Sequence, residues 1–199
     1  VYHREPWNQF IHFFGVPGIL WSILVFLVHL KVPFVGELPM VQKLLLGYGL
    51  SYGLLLSLFY AVFYLQIDSI GGILYAPFLY IIFASSVYWM QQDQKKAAAV
   101  GNKSWNGTGR LLWIAFVVHI FSWYIQIHPG HRIIEGAQPA SLQSLGGALT
   151  VAPLFAFYEG LWMMGINKPL QISTQALVDK YTYELCTSGE VSMPACETL

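Results

Sequence analysis

The chain has 199 residues, of which 56% are hydrophobic and 10% are charged, and its formal net charge is zero at pH 7. Soluble globular domains carry about 25% charged residues, so this composition excludes an ordinary soluble domain. The zero net charge gives no indication of nucleic-acid binding.

The apolar residues are grouped into five long runs. They cover residues 10–30, 44–67, 70–90, 111–128 and 142–166, and the last run contains a single charged residue, Glu159. Each run is near the roughly 20 residues that a helix needs to cross the hydrocarbon core of a bilayer. The sequence therefore predicts an all-α, polytopic membrane helical bundle with about five hydrophobic helices.

Charged and turn-forming residues between the runs set the expected helix ends. We predict helices over about residues 9–30, 41–65, 70–90, 110–128 and 141–165, and a short surface helix over about 173–185. Residues 1–170 are expected to form a helical membrane domain with a metal site, and residues 171–199 a polar tail. The tail contains Cys186 and Cys196, which are not expected to bind metal; a disulfide between them is left open.

In the second helix, Gly49, Gly53 and Ser57 recur at four-residue spacing, a pattern typical of close helix packing in lipid. The orientation of the bundle stays open. Basic residues in the loop 91–109 favour the cytosol, whereas two glycosylation acceptor patterns in the same loop favour the other side. If the first four runs all span, the start of the first helix and the end of the fourth lie on one membrane face.

Two clusters of polar residues stand at those two ends. In the first, Asn8 and His12 are four residues apart and share a helix face, and His3 lies upstream of Pro6. Because imidazole is the commonest metal ligand among side chains, His3 and His12 are candidate ligands.

In the second cluster, His119, Trp123 and Gln126 form one stripe of the fourth helix. We expect Pro129-Gly130 to end this helix and release His131. Two histidines from each half of the chain can then surround one metal ion. Zinc, iron and copper all accept imidazole, but a structural zinc site of cysteine and histidine is disfavoured because no cysteine is near.

The remaining histidines and the carboxylates have weaker assignments. His29, at the far end of the first helix, is interpreted as a structural interface residue, and His128 is left ambiguous. Glu159 lies inside the fifth helix, where a carboxylate is costly unless it is paired. Glu159 is interpreted either as a partner that orients a ligand histidine or as an ion-pair partner of Arg132. The same two roles are open for Glu135, which could also bind the metal directly.

At these residues the chain resembles a family of membrane 2-hydroxy fatty acid dioxygenases, named for the metabolism of phytosphingosine to odd-numbered fatty acids. The resemblance is carried by three blocks: Tyr2-His3, Pro6, Asn8 and Ile11-His12; Trp123, Gln126, Gly130-His131, Glu135 and Pro139-Ala140; and Ala152-Pro153-Leu154-Phe155 with Glu159. Many relatives have two residues between the glutamine and the Gly-His pair, whereas this chain has three: Ile127, His128 and Pro129.

The resemblance implies an Fe(II)-dependent dioxygenase of the endoplasmic reticulum membrane that uses O₂ to shorten 2-hydroxy fatty acids by one carbon (α-oxidation). The resemblance supports His3, His12 and His131 as metal ligands, and His119, which is not matched in all relatives, is the fourth candidate ligand. The implied catalytic residues are Asn8, Gln126, Glu135 and Glu159. The partners are then a lipid-like substrate, O₂ and membrane lipid; oligomeric state is left open.

Two other functions are weighed against this one. A membrane desaturase or hydroxylase with two irons needs a larger set of histidines in repeated short spacings than the six present here. A non-catalytic membrane scaffold or small transporter, with the histidines as interface caps, predicts no bound metal.

Overall fold

The computed structural model describes residues 6–33, 39–40, 49–102, 104–135 and 145–188. Its main elements are α1 (Pro6–His29), α2 (Tyr52–Ile67), α3 (Ser69–Ala99), α4 (Arg110–Ile125), a π-helical segment (Gln126–Glu135), α5 (Leu145–Met163) and α6 (Lys168–Ser188). Apart from an isolated bridge between Lys31 and Ser51, the described ranges contain no β-structure. The predicted all-α fold is confirmed.

Three helical stretches are long and apolar enough to cross a bilayer: Pro6–His29, Ser69–Ala99 and Arg110–Ile134. Two shorter apolar helices, Tyr52–Ile67 and Leu149–Met163, accompany them. The protein is therefore an integral membrane protein built of helices. Each of the five predicted apolar runs contains a helix, but only three helices in the described ranges reach the length of a span.

The predicted second helix, residues 41–65, is not continuous, because residues 49–51 are not helical. Residues 41–48 lie outside the described residues, but Gly49 has a positive φ of 68° and is not helical. The helix begins at Tyr52, because the Ser51 side chain accepts a hydrogen bond from the Leu54 amide and caps it. Gly53 and Ser57 therefore belong to the helix, and Gly49 does not.

Other helix ends also differ from the prediction. α3 continues past Met90 to Ala99, into the predicted loop. α6 covers Lys168–Ser188, so it is longer than predicted and includes residue 171, where the tail was expected to begin; the division into a membrane domain and a tail stays a prediction. Cys186, within α6, is disulfide-bonded.

We expected helix α4 to end at Pro129-Gly130. This is wrong, because the chain continues from α4 as a π-helix to Glu135. In an α-helix the Ile125 carbonyl would accept the amide hydrogen of residue 129, which proline lacks. In a π-helix its partner is residue 130, which has one. The wider turn therefore lets the helix pass the proline.

Helix α1 is the centre of the bundle and packs against α2, α3, α4, α5 and the π segment. Its side chains Leu24, Val25 and Val28 are fully buried in the apolar core. α2 approaches α1 closely, since a Cβ added at Gly53 would lie 3.0 Å from the Val28 backbone nitrogen. This position explains why residues along α1 can contact several other elements.

Helices α1 and α4 are antiparallel. His29, at the end of α1, lies against Trp105, just before α4, with ring centroids 6.2 Å apart. Near the other end, His12 of α1 contacts His131 of the π segment. The two polar clusters therefore meet at one end of the bundle, as predicted from the number of crossings.

Helix α5 is held by tyrosines of α2. Pro153 has no amide hydrogen, so the Leu149 carbonyl loses its usual helical partner. The Tyr60 hydroxyl donates to that carbonyl at 2.7 Å, and the Tyr64 hydroxyl donates to the Thr150 carbonyl at 2.9 Å. These two bonds fix α5 against α2.

Asp68, between α2 and α3, joins three helices. Its Oδ1 atom accepts hydrogen bonds from the Ile70 and Gly71 amides at 3.1 Å and caps α3. Its Oδ2 atom accepts a hydrogen bond from the Tyr158 hydroxyl of α5. The Tyr158 hydroxyl, then the Gly71 and Ile70 amides, hold the pKa of the Asp68 carboxyl below its usual value.

Candidate metal centre

Two of the predicted ligands, His12 and His131, form a buried pair. Their Nε2 atoms are 3.1 Å apart, and their ring planes are inclined at 60°. His12 is 8% exposed and His131 4% exposed. The pair therefore presents two ring nitrogens to one point between α1 and the π segment.

The spacing of these nitrogens fits one metal ion. Imidazole nitrogens lie about 2.0–2.1 Å from a bound transition metal, so two such ligands at a right angle are about 3.0 Å apart. The observed 3.1 Å agrees with this value. Without a metal, the same distance suits a hydrogen bond in which one ring N–H donates to the other ring.

The described residues do not provide a complete set of ligands for a metal ion. Within those ranges, no group of three or more His, Cys, Asp or Glu side chains is close enough to hold a metal ion. His3, the third predicted ligand of this end, lies outside the described residues. The structure thus describes two of the predicted ligands in contact with each other, His12 and His131.

The π segment determines which way His131 faces. Gln126 and His131 are five residues apart, and backbone hydrogen bonds of a π-helix join residues at this separation, so both lie on the side facing α1. In an α-helix the same separation would point them in different directions. The π segment thereby accommodates the three residues, Ile127, His128 and Pro129, that separate Gln126 from Gly130-His131.

Gln126 fills the space between the π segment and α1. Its side chain is buried, and its Nε2 atom donates to the Ser122 carbonyl at 2.8 Å. A Cβ added at Gly15 would lie 2.6 Å from that Nε2 atom, so only glycine leaves room for the amide. Gly15 is three residues after His12, so Gln126 lies about one turn from the histidine pair.

Asn8 lies on the other side of the pair, one turn before His12 in α1. It is fully buried, and neither its Oδ1 nor its Nδ2 atom has a hydrogen-bond partner among the described residues. A Cβ added at Gly130 would lie 2.6 Å from Asn8 Oδ1. The amide is therefore enclosed between α1 and the residue next to His131.

The structure does not bring His119 to the pair. Its Nδ1 atom is 2.9 Å from Ser22 Oγ, and its Nε2 atom accepts a hydrogen bond from the Trp123 indole at 3.1 Å. Ser22 lies ten residues after His12, or about 15 Å along the axis of α1. Both ring nitrogens are thus engaged within the bundle, and the ligand role of His119 stays a prediction that these contacts do not favour.

The predicted carboxylates differ in what can be said of them. Glu159 is fully buried in α5, and the next residue, Gly160, packs against the Phe13 ring. Glu159 therefore lies near α1 at the level of His12. Glu135 ends the π segment, and its side chain is outside the described part of the chain.

The two remaining histidines are apart from the pair. His128 is half-buried, and its ring packs against Tyr124, with centroids 5.5 Å apart. His29 is at the opposite end of the bundle, where its Nδ1–H donates to the Val25 carbonyl at 2.7 Å. The structure supports the structural interpretation of His29.

Sequence reasoning missed the face of α1 that sets this geometry. Gly15 faces Gln126, Gly18 faces Ser122, and Ser22 binds His119. The three- and four-residue spacing of these small residues is a packing signal in membrane helices, of the kind recognised only in the second helix.

Similarity to known proteins covers most of the chain. The family described as 2-hydroxy-palmitic acid dioxygenase Mpo1-like matches residues 1–164. The chain belongs to this family. In Saccharomyces cerevisiae, the protein named 2-hydroxy-palmitic acid dioxygenase MPO1 is 26% identical over 174 residues, which are 87% of this chain and 82% of the yeast protein. No solved structure matches the chain.

The match to the Mpo1-like family ends one residue after α5 and therefore includes the histidine pair, Asn8, Gln126 and Glu159. Helix α6 lies beyond it. The family that the sequence resembles is thus confirmed, and the candidate metal site lies within the residues that match it.

Proposed function

We propose that this protein is an Fe(II)-dependent dioxygenase that converts a 2-hydroxy fatty acid and O₂ into the fatty acid one carbon shorter. The observation that carries the proposal is the buried contact between His12 and His131, whose Nε2 atoms are 3.1 Å apart. The name of the yeast relative, a 2-hydroxy-palmitic acid dioxygenase, supports the substrate class.

The residues at this end of the bundle fit a redox metal held by imidazole. His12 and His131 supply two nitrogen ligands, and His3 is the next candidate. Zinc has no redox chemistry, which leaves iron and copper among the metals considered when O₂ is a reactant. Iron is proposed because the family resemblance implies it. Bound iron would supply a redox centre and a template that holds substrate and O₂ together.

The proposed reaction is balanced without another reactant. A 2-hydroxy acid, R–CHOH–COOH, and O₂ give R–COOH, CO₂ and water. The bond between the carboxyl carbon and the hydroxyl-bearing carbon breaks. These two carbons lose the four electrons that reduce O₂, so no external reductant is needed.

The protein residues bind and orient in this scheme. We assign Glu159 to accept the N–H of a ligand imidazole, a common arrangement that fixes the ring and raises its basicity. Gln126 holds the π segment at its distance from α1 and so maintains the histidine pair. Glu135 is the further candidate for a proton acceptor near the metal.

The membrane setting suits this substrate. A long-chain 2-hydroxy acid partitions into lipid, and the helices around the site expose large apolar side chains such as Trp7, Phe10 and Phe14. The acyl chain can lie among these side chains while the polar head reaches the histidines. The endoplasmic reticulum is the proposed location, and odd-chain products of α-oxidation are the proposed outcome.

Metal content and turnover test the proposal together. Protein purified in detergent without oxygen is expected to contain about one iron per chain by elemental analysis. On exposure to O₂ it should convert 2-hydroxypalmitate to pentadecanoate, followed by mass spectrometry. His12→Ala and His131→Ala should each lose iron and turnover.

His29→Ala is the matched control, because His29 is also buried in α1 but lies at the other end of the bundle. It should retain iron. Wild-type protein without iron, or full turnover by His131→Ala, would contradict the proposal and favour the non-catalytic alternative.

A further inference from the structure

The side chain of Asn8 is a buried primary amide near the start of α1. Its Oδ1 and Nδ2 atoms have no partner within the described residues, although the residue is 0% exposed. Buried serines elsewhere in the bundle use their hydroxyl groups: Ser22 donates to the Ile19 carbonyl, and Ser57 to the Gly53 carbonyl. Because an unsatisfied buried amide destabilises a fold, its presence points to a ligand.

Its position places this amide beside the histidine pair. Asn8 is four residues before His12 and shares its helix face. Its Oδ1 atom faces Gly130, the residue before His131, closely enough that any side chain there would collide with it. Asn8 therefore lies one helical turn from His12 and against the residue that precedes His131, and both histidines are proposed metal ligands.

The chemistry of a primary amide fits one feature of the proposed substrate. Its oxygen accepts one hydrogen bond and its nitrogen donates another. A 2-hydroxy acid carries a donor, the hydroxyl, next to an acceptor, the carboxylate. A fatty acid without the hydroxyl satisfies the amide nitrogen but leaves the amide oxygen without a partner.

We infer that Asn8 recognises the 2-hydroxyl group of the substrate, with Oδ1 accepting the hydroxyl hydrogen and Nδ2 donating to a carboxylate oxygen. This inference rests on the proposed function and adds the residue that selects 2-hydroxy acids over plain fatty acids. A site built to hydrogen-bond a hydroxyl discriminates strongly against the analogue that lacks it.

The test compares the affinities for 2-hydroxypalmitate and palmitate, measured by displacement of a fluorescent fatty acid. It is done on iron-loaded and on metal-free protein, so that binding through the amide is separated from binding through iron. Asn8→Leu keeps the branching of the side chain and removes both polar atoms. The ratio of the two affinities should fall roughly 5- to 100-fold in both forms, because palmitate leaves a buried acceptor unpaired in the wild-type protein but not in the variant.

Two further measurements distinguish binding from a structural role. Asn8→Leu should retain iron, and its unfolding temperature should rise because a buried unsatisfied amide is removed. The matched control is Asn102→Leu at the other end of the bundle, where the amide is satisfied by Gly107 and Ser104. That variant should keep the affinity ratio and should not gain stability.

If Asn8→Leu does not fold, Asn8→Asp is the second variant, because aspartate has the same size as asparagine. It replaces the amide donor by a carboxylate oxygen, which repels the substrate carboxylate, so the affinity for both acids should fall. An unchanged affinity ratio with normal iron content would overturn the inference and leave the proposed function intact. Loss of iron in the folded variant would also overturn it. Wild-type protein that binds neither iron nor 2-hydroxypalmitate would refute the proposed function itself.

Discussion

Replacing Gly15 by alanine tests whether close packing of α1 on the π segment maintains the histidine pair. The new Cβ would lie 2.6 Å from Nε2, 2.7 Å from Cδ and 2.8 Å from Cγ of Gln126. Carbon atoms pack best at about 3.5–4.0 Å, so either the whole side chain or the helix must move by roughly 1 Å. Such overpacking costs about 1–3 kcal/mol.

The displacement acts directly on the metal site, because Gly15 is one turn from His12. A shift of roughly 1 Å between the helices would increase the distance between the Nε2 atoms of His12 and His131 from 3.1 Å to about 4 Å. That distance is too long for two adjacent ligands of one metal ion. We therefore expect Gly15→Ala to lower both the unfolding temperature and the iron content. Thermal unfolding in detergent and elemental analysis of the same sample measure the two effects.

Two variants provide the controls. Gly15→Ala/Gln126→Ala relieves the collision but also removes the side chain that spaces the π segment from α1, so its iron content should rise above that of Gly15→Ala without reaching the wild-type value. Gly146→Ala adds a methyl group to a helical glycine that has no described atom within 4 Å of the new Cβ, so it should leave both properties unchanged. If Gly15→Ala matched the wild-type protein in stability and iron, the packing argument would be wrong.

Three other predictions follow from the fold. Deleting Pro129 should convert the π turn to an α-helical turn that keeps the site on the same face, so iron content by elemental analysis should stay within about twofold of wild type; loss of iron would show that the π geometry itself is required. Tyr60→Phe should lower the unfolding temperature, at a cost of about 1–3 kcal/mol, by orphaning a carbonyl of α5, and Tyr60→Phe/Pro153→Ala should recover it because alanine restores the amide; no recovery would refute this account. Tyr158 holds the pKa of Asp68 below its usual value, so this stabilisation is complete above about pH 4 and is lost as pH falls through the lowered pKa; the unfolding temperature of Asp68→Asn should fall less over that acidic range, and an unchanged profile would count against it.

Much of the site was predictable because helical spacing is a local property. Asn8 and His12 share a face wherever α1 packs, since residues four apart always do. The number of apolar runs placed the two histidine clusters at one end. The assignment of His119 depends on contacts that no local pattern reveals, because its partner Ser22 is 97 residues away in the chain.

The helix ends show the same division. Ser51 caps α2 and Asp68 caps α3 through their own side chains, which are signals that a sequence contains. Pro129-Gly130 is equally local but ambiguous, since a proline either ends a helix or is passed by a π turn. Packing of the π segment against α1 keeps the chain helical there.

The sequence by itself determined that this is a helical membrane protein and which polar residues can share a face, because composition and periodicity act over a few residues. The tertiary structure decided that His12 meets His131 and that His119 is engaged elsewhere. It also enclosed Asn8 at a place where no described residue forms a hydrogen bond with its amide. Those outcomes depend on how closely α1 approaches α4 and the π segment. The close approach is possible because Gly15 and Gly18 have no side chain, and the residues that they face, Gln126 and Ser122, are more than 100 residues away in the sequence.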